Sequence, residues 1–290
     1  MNIFNDLKYK FNTLDIFGKI IAINVILFIV DFILTRLIKV NLINYFKLPS
    51  DFFEFIVQPW SILSYGFIHN DLFHLLFNML FLFYLARAST NLFRTKMILN
   101  VFFMGIIVGG LAYLSIANLI TTNFFGARGV LVGSSAGVCA LLLFVAAYMP
   151  ESQIRLFNAF NVKWKHIAIF FVVIDVSRLL LGLNQGGYIA HLGGYLLGYV
   201  YATQLKKGKD IGTGFERAID NFLGFFKPKS KLKTVHRKKG KAGYTSKSNK
   251  EFDAVTKQKK IDMILDKISK SGYESLSAEE KEFLFKAGQD

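Results

Sequence analysis

Eight strongly polar residues lie inside long apolar stretches of this 290-residue chain: Asp31, His74, Asn78, Ser134, Ser135, Asp175, Arg178 and His191. Polar groups in such surroundings are costly, so each raises a functional question once packing and ion pairing are set aside. Asp175 and Arg178 stand three apart on one helix face and read as a neutralising pair. Asp31 has no evident partner. Ser135 and His191 suggest chemistry: a serine hydroxyl becomes a nucleophile when a base takes its proton, and imidazole is the usual base at neutral pH. Neither of their stretches offers an acid to orient that imidazole. The tetrahedral intermediate of such a reaction needs hydrogen-bond donors. His74 and Asn78, one helical turn apart, are suitable, as is the Ser135 backbone N–H where a loop precedes it near Gly133. Together these residues specify acyl transfer. His69 and His74 lack the spacing and the Glu of a zinc-protease helix. Asp31 and Asp175 lack the small-residue surroundings of an aspartyl pair, and no Gly-rich phosphate loop occurs.

The elements that must position these groups are membrane helices. Hydrophobic residues make up 53% of the chain, with 31 Phe and only 4 Pro. Six segments reach the roughly 17 to 25 residues a helix needs to cross a bilayer. They fall near Gly18–Leu37, Leu72–Ala88, Met97–Asn118, Gly129–Met149, Ile167–Leu183 and Gly187–Gln204. None alternates in polarity, so each is expected to be helical rather than a barrel strand. Lys8, Lys10 and Lys19, then Arg87, Arg94 and Lys96, then Arg155, Lys163 and Lys165, then Lys206, Lys207 and Lys209 fall on one side. That bias places both termini in the cytoplasm. Every even-numbered span then starts outside. At 1.5 Å per residue, His74 lies roughly 5 Å down its span, Asn78 and Ser135 about 10 Å and His191 roughly 6 Å. Four polar residues on three helices thus share the outer half of the membrane. The run Gly133-Ser134-Ser135-Ala136-Gly137 also suits close helix packing. No cleavable leader is expected, and the single Cys139 permits no disulfide framework.

Two further regions stand apart. The first outer loop, Val40 to Asp71, is long and rich in Phe and carries Trp60, which suits a segment lying partly in the membrane interface. The net charge of +15 is concentrated late, with eight basic residues and no acid from Lys227 to Lys241. Beside a cytoplasmic leaflet this run attracts anionic headgroups, at about 1 kcal/mol per basic residue. No nucleic-acid reading motif accompanies it. Beyond it, Ile261, Ile264, Leu265 and Ile268 follow a helix face, and Ser277 and Glu280 have capping-box spacing. The expected division is 1–16 N-terminal, 17–205 membrane core, 206–257 flexible basic linker and 258–290 helical hairpin.

From about Leu42 to Gln204 the chain resembles the rhomboid intramembrane serine proteases. The likeness rests on Pro59-Trp60, on His69-x4-His74-x3-Asn78, on Gly133-x-Ser135, and on His191-x2-Gly194-x3-Gly198, in the family's order. It implies an all-α polytopic membrane protein, a six-transmembrane-helix bundle followed here by the basic linker and the small helical segment. It implies Ser135 as nucleophile and His191 as general base of a Ser-His dyad. His74, Asn78 and the Ser135 N–H would form the oxyanion hole, and His69, Trp60 and Gly133 would support the site. Gly194 and Gly198 would let the sixth helix press against the fourth. Substrates would be transmembrane proteins cut near the outer face, without metal or organic cofactor, in a bacterial plasma (inner) membrane. Ser61 stands after Trp60 where many relatives carry Arg, Ala136 follows the serine where Gly is common, and Cys139 stands where some members hold an aromatic ring against the histidine. The alternatives are a rhomboid-like protein that binds or escorts membrane clients without cutting them, and a transporter, whose frequent internal repeat is missing.

Overall fold

The computed structural model describes residues 3–40, 42–119, 129–156, 160–226 and 248–287. The chain divides into two units, Met1–Lys227 and Pro228–Asp290.

The first unit is built around α7 (Ser135–Tyr148), whose Ala136 to Leu142 are all buried, as are Phe144 to Ala146. A helix that is apolar all round belongs in the middle of other helices. α6 (Thr95–Leu119) and α9 (Gln185–Lys206) pack on it most extensively, with α5 (Leu72–Thr90) and α8 (Trp164–Leu180) also against it. α2 (Ile16–Phe32), preceded by the short α1 (Ile3–Thr13), lies on α5. The outward faces of α2, α5 and α8 expose Ile26, Ile29, Phe73, Phe77, Ile169 and Phe170. Such a continuous apolar exterior suits lipid rather than water.

Among the described residues, three helices are long and apolar enough to cross a membrane: Ile16–Thr35, Leu72–Thr90 and Thr95–Leu119. The first of these ends in a π-helical turn, Ile33–Ile38. The remaining three expected spans are helical too, but α8 carries Asp175 and Arg178, and α7 has only 14 residues. At 1.5 Å per residue α7 is about 21 Å long, against roughly 30 Å of hydrocarbon.

A continuous helix from Gly129 to Met149 does not form. Val130–Leu131 is a strand, β2, paired antiparallel with β1 (Leu48–Pro49), with Leu48 opposite Leu131 and Pro49 opposite Val130. Gly133 has φ +108, a conformation no α-helix contains, so the helix starts only beyond it. The depth assigned to Ser135 along a helix from Gly129 is corrected accordingly: an extended segment leads to it. Irregular backbone of this kind is tolerated where protein buries it.

The loop between α2 and α5 folds into short pieces: a 3₁₀ turn at Leu42–Phe46, β1, α3 (Phe52–Val57), α4 (Ser61–Ser64) and a second 3₁₀ turn at Tyr65–Phe67. Phe52, Phe53 and Trp60 are exposed on it. A second hairpin, β3 (Gln153–Leu156) with β4 (Phe160–Lys163), joins α7 to α8, and the described residues are mostly helical with four short strands.

The segment read as linker from 206 is also partly folded. Helix α10 (Thr213–Phe226) carries Glu216 and Asp220, which pair with Lys96 at 3.2 and 3.1 Å, while Asp210 pairs with Arg94 at 3.1 Å. The basic run Lys227–Lys241 lies outside the described residues. In the second unit, α11 (Ser248–Ser271) starts earlier than the expected boundary at 258 and is followed by α12 (Ala278–Ala287). The Ser277 N–H donates to Glu280 at 2.8 Å and the Glu280 N–H to Ser277 Oγ at 3.2 Å, a reciprocal capping box. Among the described residues of this unit, Ile264 and Leu276 are buried.

Candidate active site

The start of α5 is fixed by Asp71, whose Oδ1 accepts from the His74 N–H at 2.9 Å. Capping locks that first turn and with it the placement of the His74 side chain. Asn78 follows one turn later and is buried. Facing both is the segment that leads into α7. The Gly133 N–H donates to the Tyr65 carbonyl at 2.9 Å, and the Tyr65 hydroxyl is itself anchored to the Ile106 carbonyl at 2.6 Å. A Cβ on Gly133 would stand 2.5 Å from His74 Nε2 and 3.7 Å from Asn78 Nδ2. Both the positive φ and this close approach call for glycine. The residue two before Ser135 therefore lies directly against His74 and Asn78.

Asn78 Nδ2 and Ser134 Oγ are buried without a hydrogen-bond partner among the described residues. An unpaired buried donor costs on the order of 1–3 kcal/mol, and a native fold that carries one calls for a reason. Ser134 occupies the N-cap of α7 but makes no side-chain capping bond. The first N–H groups of α7, Ser135's among them, have no acceptor within the helix and form its positive end. This corner of the protein therefore gathers donors and leaves them open.

His191 comes from α9. A Cβ on Gly194 would meet the Ala136 carbonyl oxygen at 2.1 Å, and one on Gly198 the Ala140 carbonyl oxygen at 2.1 Å, so α9 runs backbone to backbone along α7. On α6, a Cβ at Gly109 would touch the Ala136 side chain at 2.5 Å and the Ala190 carbonyl oxygen at 2.7 Å. The neighbours of Ser135 and of His191 thus meet at one point. Cys139, one turn beyond Ser135 on α7, brings its Sγ within 4.8 Å of ligand atoms on both Asp175 and His191.

Asp175 and Arg178 do not pair with one another. Asp175 Oδ2 lies 2.8 Å from His191 Nδ1 and accepts from the Tyr195 hydroxyl at 2.8 Å, while Arg178 donates to the Tyr188 hydroxyl at 3.0 Å. The reason is tertiary: α8 packs on α9, whose Tyr188, His191 and Tyr195 lie at i, i+3 and i+7 on one face and meet the polar residues of α8. The Tyr188 ring stands edge-on to His191 at 5.6 Å, so an aromatic contact to the imidazole exists and comes from its own helix rather than from the position of Cys139. Cys139, Asp175 and His191 are donor types that zinc accepts. They would have to give up the His191–Asp175 bond to hold it.

Trp60 and His69 lie in the loop between α2 and α5. Trp60 Nε1 donates to the Tyr45 carbonyl at 2.8 Å, and the His69 ring is edge-on to that of His74 at 5.0 Å. Burial, and next the neighbouring His74, lower the His69 pKa to about 3, so its ring is neutral. Beside His74 opens a cavity of about 600 Å³, lined by Asn70, Val130 and Val132 and, at the start of α9, by Asn184 and Gln185. This volume falls in the range of small-molecule and peptide-binding clefts.

Comparison with known proteins bears on this corner. No curated protein matches the chain. Residues 246–286, the helical pair at the end, match a family of unknown function (DUF6576). Residues 57–207 match the rhomboid domain, just over half of the 290 residues. Trp60, His69, His74, Asn78, Gly133, Ser135, His191, Gly194 and Gly198 all fall within that match, and the chain belongs to the rhomboid family.

Proposed function

We propose that this protein is an intramembrane serine endopeptidase. The family is generally one of such proteases, although it also has inactive members. The observation that carries the reading is the close approach of Gly133 to His74 and Asn78, which sets open donors beside the start of α7. In the reaction, Ser135 Oγ bonds to the scissile carbonyl carbon and its proton passes to His191 Nε2. The oxyanion accepts from the Ser135 N–H, His74 and Asn78. The C–N bond then breaks, the amine leaves with the proton from Nε2, and an acyl-Ser135 ester remains. Water attacks the ester, gives a proton to Nε2, and Ser135 recovers its own as the acid product leaves.

The six helices α2, α5, α6, α7, α8 and α9 cross a bacterial plasma (inner) membrane with both termini cytoplasmic. Substrates are transmembrane proteins cleaved near the outer face. α7 is accommodated despite its length because it is sheathed by protein, and Val130–Ser134 completes its path outward.

The test is labelling of the purified protein by a fluorophosphonate, alongside cleavage of a fluorescent transmembrane reporter. Labelling and turnover are expected in the wild type and in Ser134→Ala, and neither in Ser135→Ala. Equal loss in both serine variants would overturn the assignment. Absence of labelling in a folded wild type would favour a rhomboid-like protein that binds membrane clients without cutting them.

A further inference from the structure

We propose that Asp175 is a positioning residue that extends the Ser135–His191 pair to a triad, fixing the imidazole and countering the charge it acquires. The proposal rests on the protease reading above and adds a third member to it. Asp175 sits in the last third of α8 and is only 5% exposed. A buried carboxylate serving structure alone would take the nearest cation. Arg178, one turn away, turns to Tyr188 instead, and Asp175 takes the imidazole of His191 and the phenol of Tyr195, both at 2.8 Å.

The chemistry of the pair follows from donor counting. A carboxylate only accepts, so the ring proton of neutral His191 resides on Nδ1. The Nε2 lone pair is then free on the opposite edge of the ring. Cys139, one turn past Ser135 on α7, brings its Sγ within 4.8 Å of the same imidazole, so the ring lies close to both α8 and the helix that carries the nucleophile. When Nε2 takes the Ser135 proton, the imidazolium forms against a fixed anion that is itself buried, where such pairing acts more strongly than between exposed groups. The proton travels from Ser135 Oγ to Nε2 and on to the leaving amine, and Asp175 takes none. Tyr195 donates to the same oxygen that His191 uses, which keeps the carboxylate from rotating away. It lies at i+4 from His191, so one helix face supplies both the imidazole and the phenol.

The experiment uses the full-length protein in detergent with ¹⁵N-labelled histidine, assigning the ring signals of His191 by their loss in His191→Gln. Wild type is expected to show a hydrogen-bonded Nδ1–H resonance displaced downfield, and Asp175→Asn to lose it. In reporter cleavage, Asp175→Asn should lower kcat by about 10²- to 10⁴-fold, with KM within about threefold of wild type. Tyr195→Phe, which spares the His191–Asp175 bond, should show a smaller loss, on the order of tenfold. An Asp175→Asn protein with an unchanged thermal transition that labels and cleaves like wild type would overturn the proposal. A wild type whose His191 shows no Nδ1–H resonance would do so without any variant, and Tyr195→Phe decides should Asp175→Asn not fold. A wild type lacking Ser135-dependent labelling removes the protease reading and Asp175's part with it. A wild type that labels beside an equally reactive Asp175→Asn removes only the latter.

Discussion

Asn78 is buried with an amide nitrogen that bonds to nothing among the described residues, within reach of the bend at Gly133. A donor held ready for an oxyanion contributes little to the resting fold and much to the transition state. Asn78→Ala is therefore expected to lower kcat by about 10²- to 10³-fold while the thermal transition stays close to that of wild type. A large fall in stability with kcat preserved would assign Asn78 to packing. His69 carries a pH signature of its own. Its ordinary pKa of 6.5 is lowered to about 3 in the fold, first by burial and then by His74. Between those values the unfolded chain binds a proton that the folded chain refuses. The stability tied to neutral His69 is whole above pH 6.5 and falls as the pH drops toward 3, by up to about 1.4 kcal/mol per unit. Thermal unfolding at about pH 7 and about pH 5 should show a smaller acid shift in His69→Gln than in wild type. At this scale the sequence singles out residue types that are out of place in their surroundings, and of these the fold sets His74 and Asn78 against Gly133, two residues before Ser135. Asp175 was misread because Arg178, three residues on, offers a local partner, whereas the observed one is 16 residues away on another helix.

The central packing of α6, α7 and α9 depends on small residues, and its tightest points are Gly194 on Ala136 and Gly198 on Ala140. At both, the atom that an added methyl would strike is backbone, which cannot rotate aside. Gly198→Ala should push α9 off α7 and destabilise the protein by about 1–3 kcal/mol. Because His191 rides on α9, the loss of kcat should exceed the loss of folded protein. The expected comparison is thermal unfolding against turnover per folded molecule, and a variant with unaltered midpoint and rate would mean that the helices are not held by this seam. Helix positions were legible because runs of apolar residues have few alternatives in lipid. The start of α7 was not, since the apolar run continues through Val130, Leu131 and Val132. What ends the helix there is the φ of Gly133 together with strand pairing to Leu48, and such pairing leaves no local mark in the sequence. Helix α10 was hidden for a similar reason: the ties of its Glu216 and Asp220 to Arg94 and Lys96 span more than a hundred residues.

At the scale of the molecule, the candidate site lies wholly in the first unit, and the basic run Lys227–Lys241 begins where that unit ends. The isolated segment from Lys227 onward is expected to bind vesicles containing anionic lipid and to release them as salt rises, and deletion of Lys227–Lys241 should weaken that binding. Binding that survives both the deletion and high salt would remove charge as its cause. The two-residue ribbon between β1 and β2 has a wider effect than its size suggests. Leu131 is buried against Leu48 while Val130 faces out, so a slip of one position would exchange the two faces. It would also draw the chain by about 3.4 Å, which exceeds the tolerance of a nucleophile that must stand about 3 Å from the carbon it attacks. The register of the loop between α2 and α5 thus works as a gauge for the position of the serine. One residue inserted between Leu131 and Gly133 would leave every chemical group in the chain and take the hydroxyl out of range.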